Sequence, residues 1–315
     1  MDKFINNILD ISQNYYKYLI NLENVNGVGV GYKYINNINI LEPCIHVLVE
    51  KKVDKNYLSK NNLVPKTYMG VKTDIIEVGE TQTLSSGALP QKFRPLKGGA
   101  SISSVASSET GTLGCIVKKA KLDYFQYFIL TNNHVVTDLN KTPIGTPIIQ
   151  PGFICGGSFP EDTIGRLKDF VPIKFIDDGN GTIPENYVDA AIVKIYNKAL
   201  ISDEIHVIGN LKGINTAKLN ETVVKVGFMT AQSLGKIDTL GLTQTINIAS
   251  KKLALFKNQI RAKLTLNAGD SGSIVINNND EAVGLLFAGN FEKRQAYIND
   301  INTVLSKFNV EIYTK

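Results

Sequence analysis

The sequence is poor in two residue types on which whole classes of protein depend, cysteine and arginine. Its 315 residues include three cysteines and four arginines. A secreted protein held together by disulfides carries more cysteines, in even number, and Cys44, Cys115 and Cys155 lack metal-site spacing. Four arginines without a dense basic cluster argue against nucleic-acid binding, because arginine is the preferred side chain for reading phosphates and base edges. We interpret the net charge of +5 as a contribution to solubility rather than as a sign of nucleic-acid binding.

The chain also lacks long apolar runs. No run approaches the roughly 20 residues that a membrane span requires. The first twenty residues have no apolar signal core, because Asp2, Asn6, Asn7, Asp10 and Asn14 interrupt them. We therefore expect a cytoplasmic protein that has no membrane partner.

What the sequence does contain is a succession of short Val- and Ile-rich runs separated by turn residues. The composition is that of a globular protein, with 43% hydrophobic residues, 20% charged residues and 26 glycines. Short strands divided by turns are typical of antiparallel barrels and sandwiches rather than of alternating strands and helices. The chain is therefore predicted to be mainly β. After residue 100 the candidate strands are 111–119, 124–132, 188–196, 222–228, 263–267, 272–277 and 281–289.

The first part of the chain has a different pattern. Residues 3–22 place apolar side chains at spacings of three and four, which predicts an amphipathic helix. Strand-like runs follow, and residues 79–100 then form a stretch rich in Gly, Ser and Pro that is typical of a linker. We predict a small α/β N-terminal module over 1–90 and a second domain over 91–315. The strand-like runs of the module are 27–35, 44–52 and 72–78.

Three residues, far apart in the chain, have the chemistry of a catalytic triad. His134 follows a hydrophobic strand, Asp189 stands at the start of another, and Ser271 lies in GDSGS at 269–273. A serine hydroxyl needs a base to become nucleophilic, imidazole has a pKa near neutrality, and a buried carboxylate orients the imidazole. Glycines beside the serine let backbone N–H groups converge on an oxyanion. We assign the oxyanion hole to the amides of Gly269 and Ser271.

The same segments resemble those of chymotrypsin-like serine peptidases. LTNNHVV at 130–136 is similar to the family's histidine segment, VDAAIVKI at 188–195 to its aspartate strand and AGDSGS at 268–273 to its nucleophile loop, in the family's order. GVGVGYK at 27–33 and RPLKGGASIS at 94–103 look like a bacterial trypsin-like branch, which is similar to plant NARROW LEAF-type proteins. The resemblance implies a chymotrypsin-like double antiparallel β-barrel over 91–315 and a serine endopeptidase without cofactor or metal.

The resemblance also implies where substrate binds. Thr265 corresponds to the base of the primary pocket, and Phe287, Ala288 and Gly289 correspond to the wall that pairs with the substrate. No acidic residue stands at 265, so the resemblance implies a neutral or small hydrophobic side chain before the scissile bond. The partner is then a protein or peptide substrate, and a homo-oligomer is left open.

One departure from the family pattern concerns the aspartate beside the nucleophile. Relatives of this branch are expected to carry a Gly-Arg pair where this chain has Gly227 and Phe228, so Asp270 lacks that arginine. Lys225 and Arg294 are the candidates to replace it.

The missing arginine supports an alternative function, a catalytically weak or inactive protease-fold protein that binds or scaffolds a partner. An α/β-hydrolase is disfavoured, because its G-x-S-x-G motif and its serine-first order are both absent. His46 and His206 are interpreted as structural residues, and Cys115 and Cys155 as small buried thiols.

Overall fold

The computed structural model describes residues 3–35, 38–79, 91–122, 124–176, 183–249 and 252–315. The helices in these residues are α1 Lys3–Asn14, α2 Lys17–Ile20, α3 Asn133–Val136 and α4 Ile301–Phe308. The strands are β1 Val25–Ile35, β2 Ile38–Val49, β3 Thr67–Tyr68, β4 Val71–Glu77, β5 Ser101–Ser104, β6 Thr110–Thr112, β7 Cys115–Lys121, β8 Tyr124–Thr131, β9 Pro147–Ile149, β10 Thr163–Phe170, β11 Glu185–Asn186, β12 Ala191–Lys194, β13 Glu204–Ile205, β14 Gly209–Asn210, β15 Gly213–Ile214, β16 Thr222–Gly227, β17 Ala231–Ala249, β18 Lys252–Lys263, β19 Ile274–Asn277, β20 Glu281–Asn290, β21 Gln295–Asp300 and β22 Glu311–Ile312.

Two large sheets account for most of the described residues, and they confirm the predicted mainly β double-barrel fold. The first sheet runs in the order β22-β7-β8-β12-β10-β9-β5-β6. Its core is made of alternating inward side chains, among them Ile102, Ile129 and Val193. This alternation is expected where one face of a strand is buried.

The second sheet contains the strands of the other barrel, β16 to β21, with β17 and β18 forming a long antiparallel hairpin. Between the two sheets lies a further apolar cluster, to which β7, β8, β19 and α4 contribute. α4 starts at Asp300, whose carboxylate accepts a hydrogen bond from Thr303 N–H as an N-cap. The two barrels are therefore packed against each other through an apolar interface.

The N-terminal helices and strands extend this second sheet. β1 pairs with β17 as well as with β2, and β4 pairs with β2. α1 and α2 cover one face with Ile8, Ile11 and Leu19. On the other face Leu48 and Val78 belong to the apolar cluster that contains part of β20. The predicted boundary of the module at residue 90 lies outside the described residues.

Candidate active site between the two barrels

His134 and Asp189, which are 55 positions apart, meet because β8 and β12 are antiparallel neighbours. Thr131 at the end of β8 pairs with Ala191 at the start of β12, so the residues after β8 lie beside those before β12. The imidazole Nδ1 of His134 is 2.5 Å from Asp189 Oδ2. The backbone N–H of His134 donates to Asp189 Oδ1 at 3.2 Å. One carboxylate thus holds both the ring and the backbone of the histidine.

Two buried asparagines hold the backbone of Asp189, whose side chain is fully buried. Asn132 Nδ2 donates to the Asp189 carbonyl at 2.6 Å. The Asp189 N–H donates to Asn299 Oδ1 at 2.8 Å, and Asn299 Nδ2 in turn donates to the Leu285 carbonyl at 3.1 Å. Asn299 lies on β21 of the second barrel and therefore links that barrel to the aspartate. No local pattern points to Asn299, whereas Asn132 stands in the histidine motif.

The environment of His134 favours its protonated form. Burial alone would lower the imidazole pKa, but the charge and hydrogen bond of Asp189 outweigh burial and raise the pKa of His134, with a smaller contribution from Glu109. This is the electrostatic arrangement that stabilises an imidazolium during proton transfer.

Ser271 lies in a tight turn between β18 and β19 that requires two glycines. Gly269 has φ +98° and Gly272 has φ +96°. Residues other than glycine rarely adopt these backbone angles. A Cβ on Gly269 would meet the Phe228 ring at 2.4 Å, and one on Gly272 would meet the Thr112 carbonyl at 2.1 Å. The glycines of GDSGS are thus required both by backbone conformation and by close packing.

Strand β6 of the first barrel connects the serine turn to the histidine segment. Thr112 N–H donates to the Ser271 carbonyl at 2.8 Å, and Thr112 Oγ1 donates to the Gly269 carbonyl at 2.8 Å. A Cβ on Gly111 would contact both the Val135 side chain and, at 3.0 Å, the Ser271 carbonyl. The structure therefore brings the serine turn next to the histidine segment, between the barrels.

One of the residues predicted to bind substrate, Phe287, contacts the serine. Ser271, only 3% exposed, donates through Oγ to the Phe287 carbonyl at 3.3 Å. Phe287, Ala288 and Gly289 lie on β20 and are buried. Thr265 is half-buried and lies after β18. The strand predicted over 263–267 is wrong beyond residue 263, where β18 ends.

Asp270 is held by five hydrogen-bond donors, and this network fixes the turn around Ser271. Lys225 Nζ lies 2.7 Å from Asp270 Oδ2, and both side chains are fully buried. Thr230 donates through Oγ1 at 2.6 Å and through its N–H at 3.1 Å. The N–H groups of Met229 and Asn267 donate at 3.1 and 2.9 Å. The predicted oxyanion donors, Gly269 and Ser271, flank this anchored aspartate.

Lys225 is therefore the cation beside Asp270. Arg294, the other candidate, is exposed and lies in the turn between β20 and β21. Burial lowers the pKa of Lys225, and the charge and hydrogen bond of Asp270 oppose that shift.

One group of side chains away from the serine has metal-ligand chemistry. Ligand atoms of Cys44, His46 and Asp74 lie within 4.8 Å of one another. His46, however, already uses both ring nitrogens, with Nε2 at 2.9 Å from the Tyr32 carbonyl and Nδ1 at 2.9 Å from Thr239 Oγ1. A metal would have to displace one of these bonds, so we assign the group a structural role. His46 faces a neighbouring strand, and all three cysteines are buried and free of disulfides.

Comparison with known families identifies the fold. A family model described as Trypsin matches residues 123–309, more than half of the chain. The chain belongs to the trypsin family. No curated protein matches the chain. No helix among the described residues is long and apolar enough to cross a membrane.

Solved structures of bacterial proteases are similar to this trypsin-family chain at low identity. Thermobifida fusca Protease A is 17% identical, with a TM-score of 0.49, over 70% of this chain and 98% of its own. Cellulomonas bogoriensis chymotrypsin is 16% identical, with a TM-score of 0.45, over 70% and 98%. A Nocardiopsis protease is 18% identical, with a TM-score of 0.47, over 69% and 98%.

Proposed function

We propose that the protein is a serine endopeptidase. Ser271 Oγ attacks the scissile carbonyl while its proton passes to His134 Nε2. The C–N bond then breaks as His134 protonates the leaving amine, and water hydrolyses the acyl-enzyme by the reverse proton path. Asp189 holds the imidazole throughout. The observation that carries the proposal is the contact between the fully buried Asp189 carboxylate and His134 Nδ1. This contact lies beside the serine turn of a chain that belongs to the trypsin family.

The oxyanion of the tetrahedral intermediate is proposed to bind the N–H groups of Gly269 and Ser271. Support comes from the anchoring of Asp270, whose carboxylate accepts hydrogen bonds from Lys225 Nζ and from the N–H of Asn267 at the start of the turn. Removing one oxyanion donor costs about 3 kcal/mol of transition-state stabilisation in such sites, so a fixed turn matters for rate.

Substrate is proposed to pair with Phe287, Ala288 and Gly289 on β20, with its side chain before the scissile bond directed toward Thr265. A neutral or small hydrophobic side chain fits a pocket base without a carboxylate. We further propose a cytoplasmic protein of the bacterial branch similar to plant NARROW LEAF-type proteins, acting on protein or peptide substrates, with self-association left open.

A fluorophosphonate probe, which reacts with activated serines, tests the proposal. The wild-type protein should be labelled and Ser271→Ala should not. Ser306→Ala, at an exposed serine of α4, is the matched control and should be labelled like wild type. Absence of wild-type labelling, or equal labelling of Ser271→Ala, would refute an active Ser271.

A second candidate is a protease-fold binding protein with little turnover. The hydrogen bond of Ser271 Oγ to the Phe287 carbonyl favours it, because a reacting serine must turn toward His134. Hydrogen bonds of this kind often tighten only when substrate is bound, so we rank this function second. Peptide turnover that His134→Ala abolishes would eliminate it.

A further inference from the structure

The outer edge of β4, which faces away from β2, is open at Ile75 within the described residues. On either side of Ile75 the edge is occupied, because Lys33 Nζ donates to the Thr73 carbonyl at 3.1 Å and Gln295 Nε2 donates to the Glu77 carbonyl at 3.5 Å. β3 pairs only with Val71 and Lys72 of β4, and Thr73 N–H adds one bond to the Lys66 carbonyl. Backbone groups alternate along a strand, so the N–H and C=O of Ile75 point to the same outer side as Thr73 N–H. Within the described residues no strand pairs with this side of Ile75. Such an edge is a template for another strand.

A large groove runs beside this open edge. Its volume is about 1010 Å³, and the Ile75 side chain, 36% exposed, forms part of its floor. The connection between β2 and β3 forms the opposite wall. The apolar residues that line the groove are Val25, Val49, Val53, Leu58, Leu63, Val64, Pro65 and Ile75.

Lysines surround the groove in excess over acidic residues. Five lysines line it, against Glu23 and Asp74; they are Lys33, Lys51, Lys52, Lys66 and Lys72. Lys72 is paired with Glu42, which lies outside the groove lining. In the part of the chain that the structure describes, the ammonium groups of Lys51 and Lys66 have no carboxylate within 4.0 Å. The groove is thus apolar at its floor and positively charged at its rim.

We propose that an extended, acidic polypeptide segment docks here as an added strand on β4. The free N–H and C=O of Ile75 can form hydrogen bonds with the backbone of a peptide. Alternate side chains of that peptide would pack on the apolar floor, and the lysines at the rim would attract acidic side chains. A second copy of this edge would bring its own lysines against the rim, so charge disfavours pairing between copies. This binding site is separate from Ser271 and does not depend on peptidase activity.

The position of the groove connects it to the proposed active site. Beyond β4, the Val78 carbonyl accepts a hydrogen bond from Asn290 Nδ2 at 3.3 Å, and Asn290 directly follows Gly289 on β20. A bound segment would therefore lie on a strand whose end, at Val78, is joined by a hydrogen bond to the proposed substrate-pairing strand β20. If the groove also docks substrates for cleavage, that role rests on the proposed function. The binding of an acidic segment to the groove does not.

Fluorescence anisotropy with a fluorescein-labelled peptide of alternating Glu and Val tests the site in the full-length Ser271→Ala protein at low salt. We expect saturable binding. The double variant Lys51→Glu/Lys66→Glu should weaken it by about tenfold or more, because two attractive charges become repulsive. The double variant Lys168→Glu/Lys198→Glu changes two exposed lysines of the first barrel and should bind as before.

Two further probes separate strand addition from other binding. The same peptide with alternate amides N-methylated should bind at least about tenfold more weakly, since it cannot complete the strand hydrogen bonds. A Lys–Val peptide should not bind. Equal binding of the N-methylated or the Lys–Val peptide would overturn the proposal, as would binding of dodecanoate without binding of the Glu–Val peptide.

Discussion

At the scale of single residues, the contact between Asp189 and His134 predicts the largest effect of a substitution on activity. Asp189→Asn would replace the acceptor on Nδ1 with an amide, which removes the charge that raises the pKa of His134 and no longer selects the productive tautomer. We expect kcat to fall about ten-thousandfold. Active-site titration and steady-state kinetics on a peptide substrate measure this change.

The same pair predicts a pH profile. His134 must be neutral to accept the serine proton, so kcat/KM should rise with pH through its raised pKa. In Asp189→Asn the residual activity should rise at lower pH, because the charge of Asp189 is gone. An unshifted profile would show that Asp189 does not control the imidazole.

His46 predicts a separate effect on stability. Burial lowers its pKa to about 4, with Arg261 adding to the shift, whereas an unfolded histidine has a pKa of about 6.5. Between these pH values His46 is protonated in the unfolded chain and neutral in the folded chain. The free energy of unfolding should therefore decrease as pH falls from 6.5 to 4, by about 3 kcal/mol from this residue.

Urea unfolding at a series of pH values, with wild type beside His46→Gln, isolates this contribution. The variant should be less stable at neutral pH, since Gln fits the contacts with Tyr32 and Thr239 poorly, but its stability should depend less on pH. His206→Gln, at a half-buried histidine packed on Phe93, is the control and should keep the wild-type slope. Parallel slopes for wild type and His46→Gln would contradict the prediction.

At the scale of elements, strand β16 and the serine turn form one unit through Lys225 and Asp270. Lys225→Met would leave the Asp270 carboxylate buried beside an apolar side chain. Loss of one partner of a buried ion pair costs about 3 to 5 kcal/mol. We expect a lower free energy of unfolding and a disordered oxyanion site, with kcat reduced more than the affinity for substrate.

Lys225→Arg is the matched variant, because it keeps the charge on the same strand. It should retain most of the stability and turnover that Lys225→Met loses. Unfolding curves and fluorophosphonate labelling rates of both variants measure the difference. If Lys225→Met reacted with the probe as fast as wild type, the ion pair would not be what holds the turn.

The elements that the sequence predicts well are those with strong local signals. The strands 27–35 and 72–78 and the apolar stripe of the first helix follow simple periodicity. The family segments point to His134, Asp189 and Ser271, whose catalytic roles stay a prediction. No local pattern predicts the β17–β18 hairpin, because its residue pattern is set by contacts on both faces with other strands. Of the strand predicted over 263–267 only residue 263 lies in a strand, the end of β18, because the residues after it lead into the serine turn. The choice of Lys225 over Arg294 depends on register between β16 and the turn, which no local pattern contains.

At the scale of the whole molecule, the N-terminal strands and the second barrel share one sheet. Composition predicts an N-terminal module over 1–90 as a unit of its own. The sheet, however, continues without interruption from β17 into β1, with Gly27 opposite Gln244 and Gly31 opposite Thr239. The apolar cluster of Leu48 and Val78 also reaches β20. Such continuity arises from long-range pairing, to which a linker-like composition gives no clue.

This continuity predicts that the N-terminal strands and the second barrel open together. Leu48→Ala would leave a cavity between them that costs about 2 to 5 kcal/mol. In hydrogen exchange measured by mass spectrometry, peptides from β1 and from β17 should both lose protection in this variant, by similar free energies. Ile129→Ala, in the core of the first barrel, serves as the control and should affect peptides of β8 more than those of β1. If Leu48→Ala accelerated exchange in β1 while β17 kept its protection, the N-terminal strands would be an independent unit attached to the barrel.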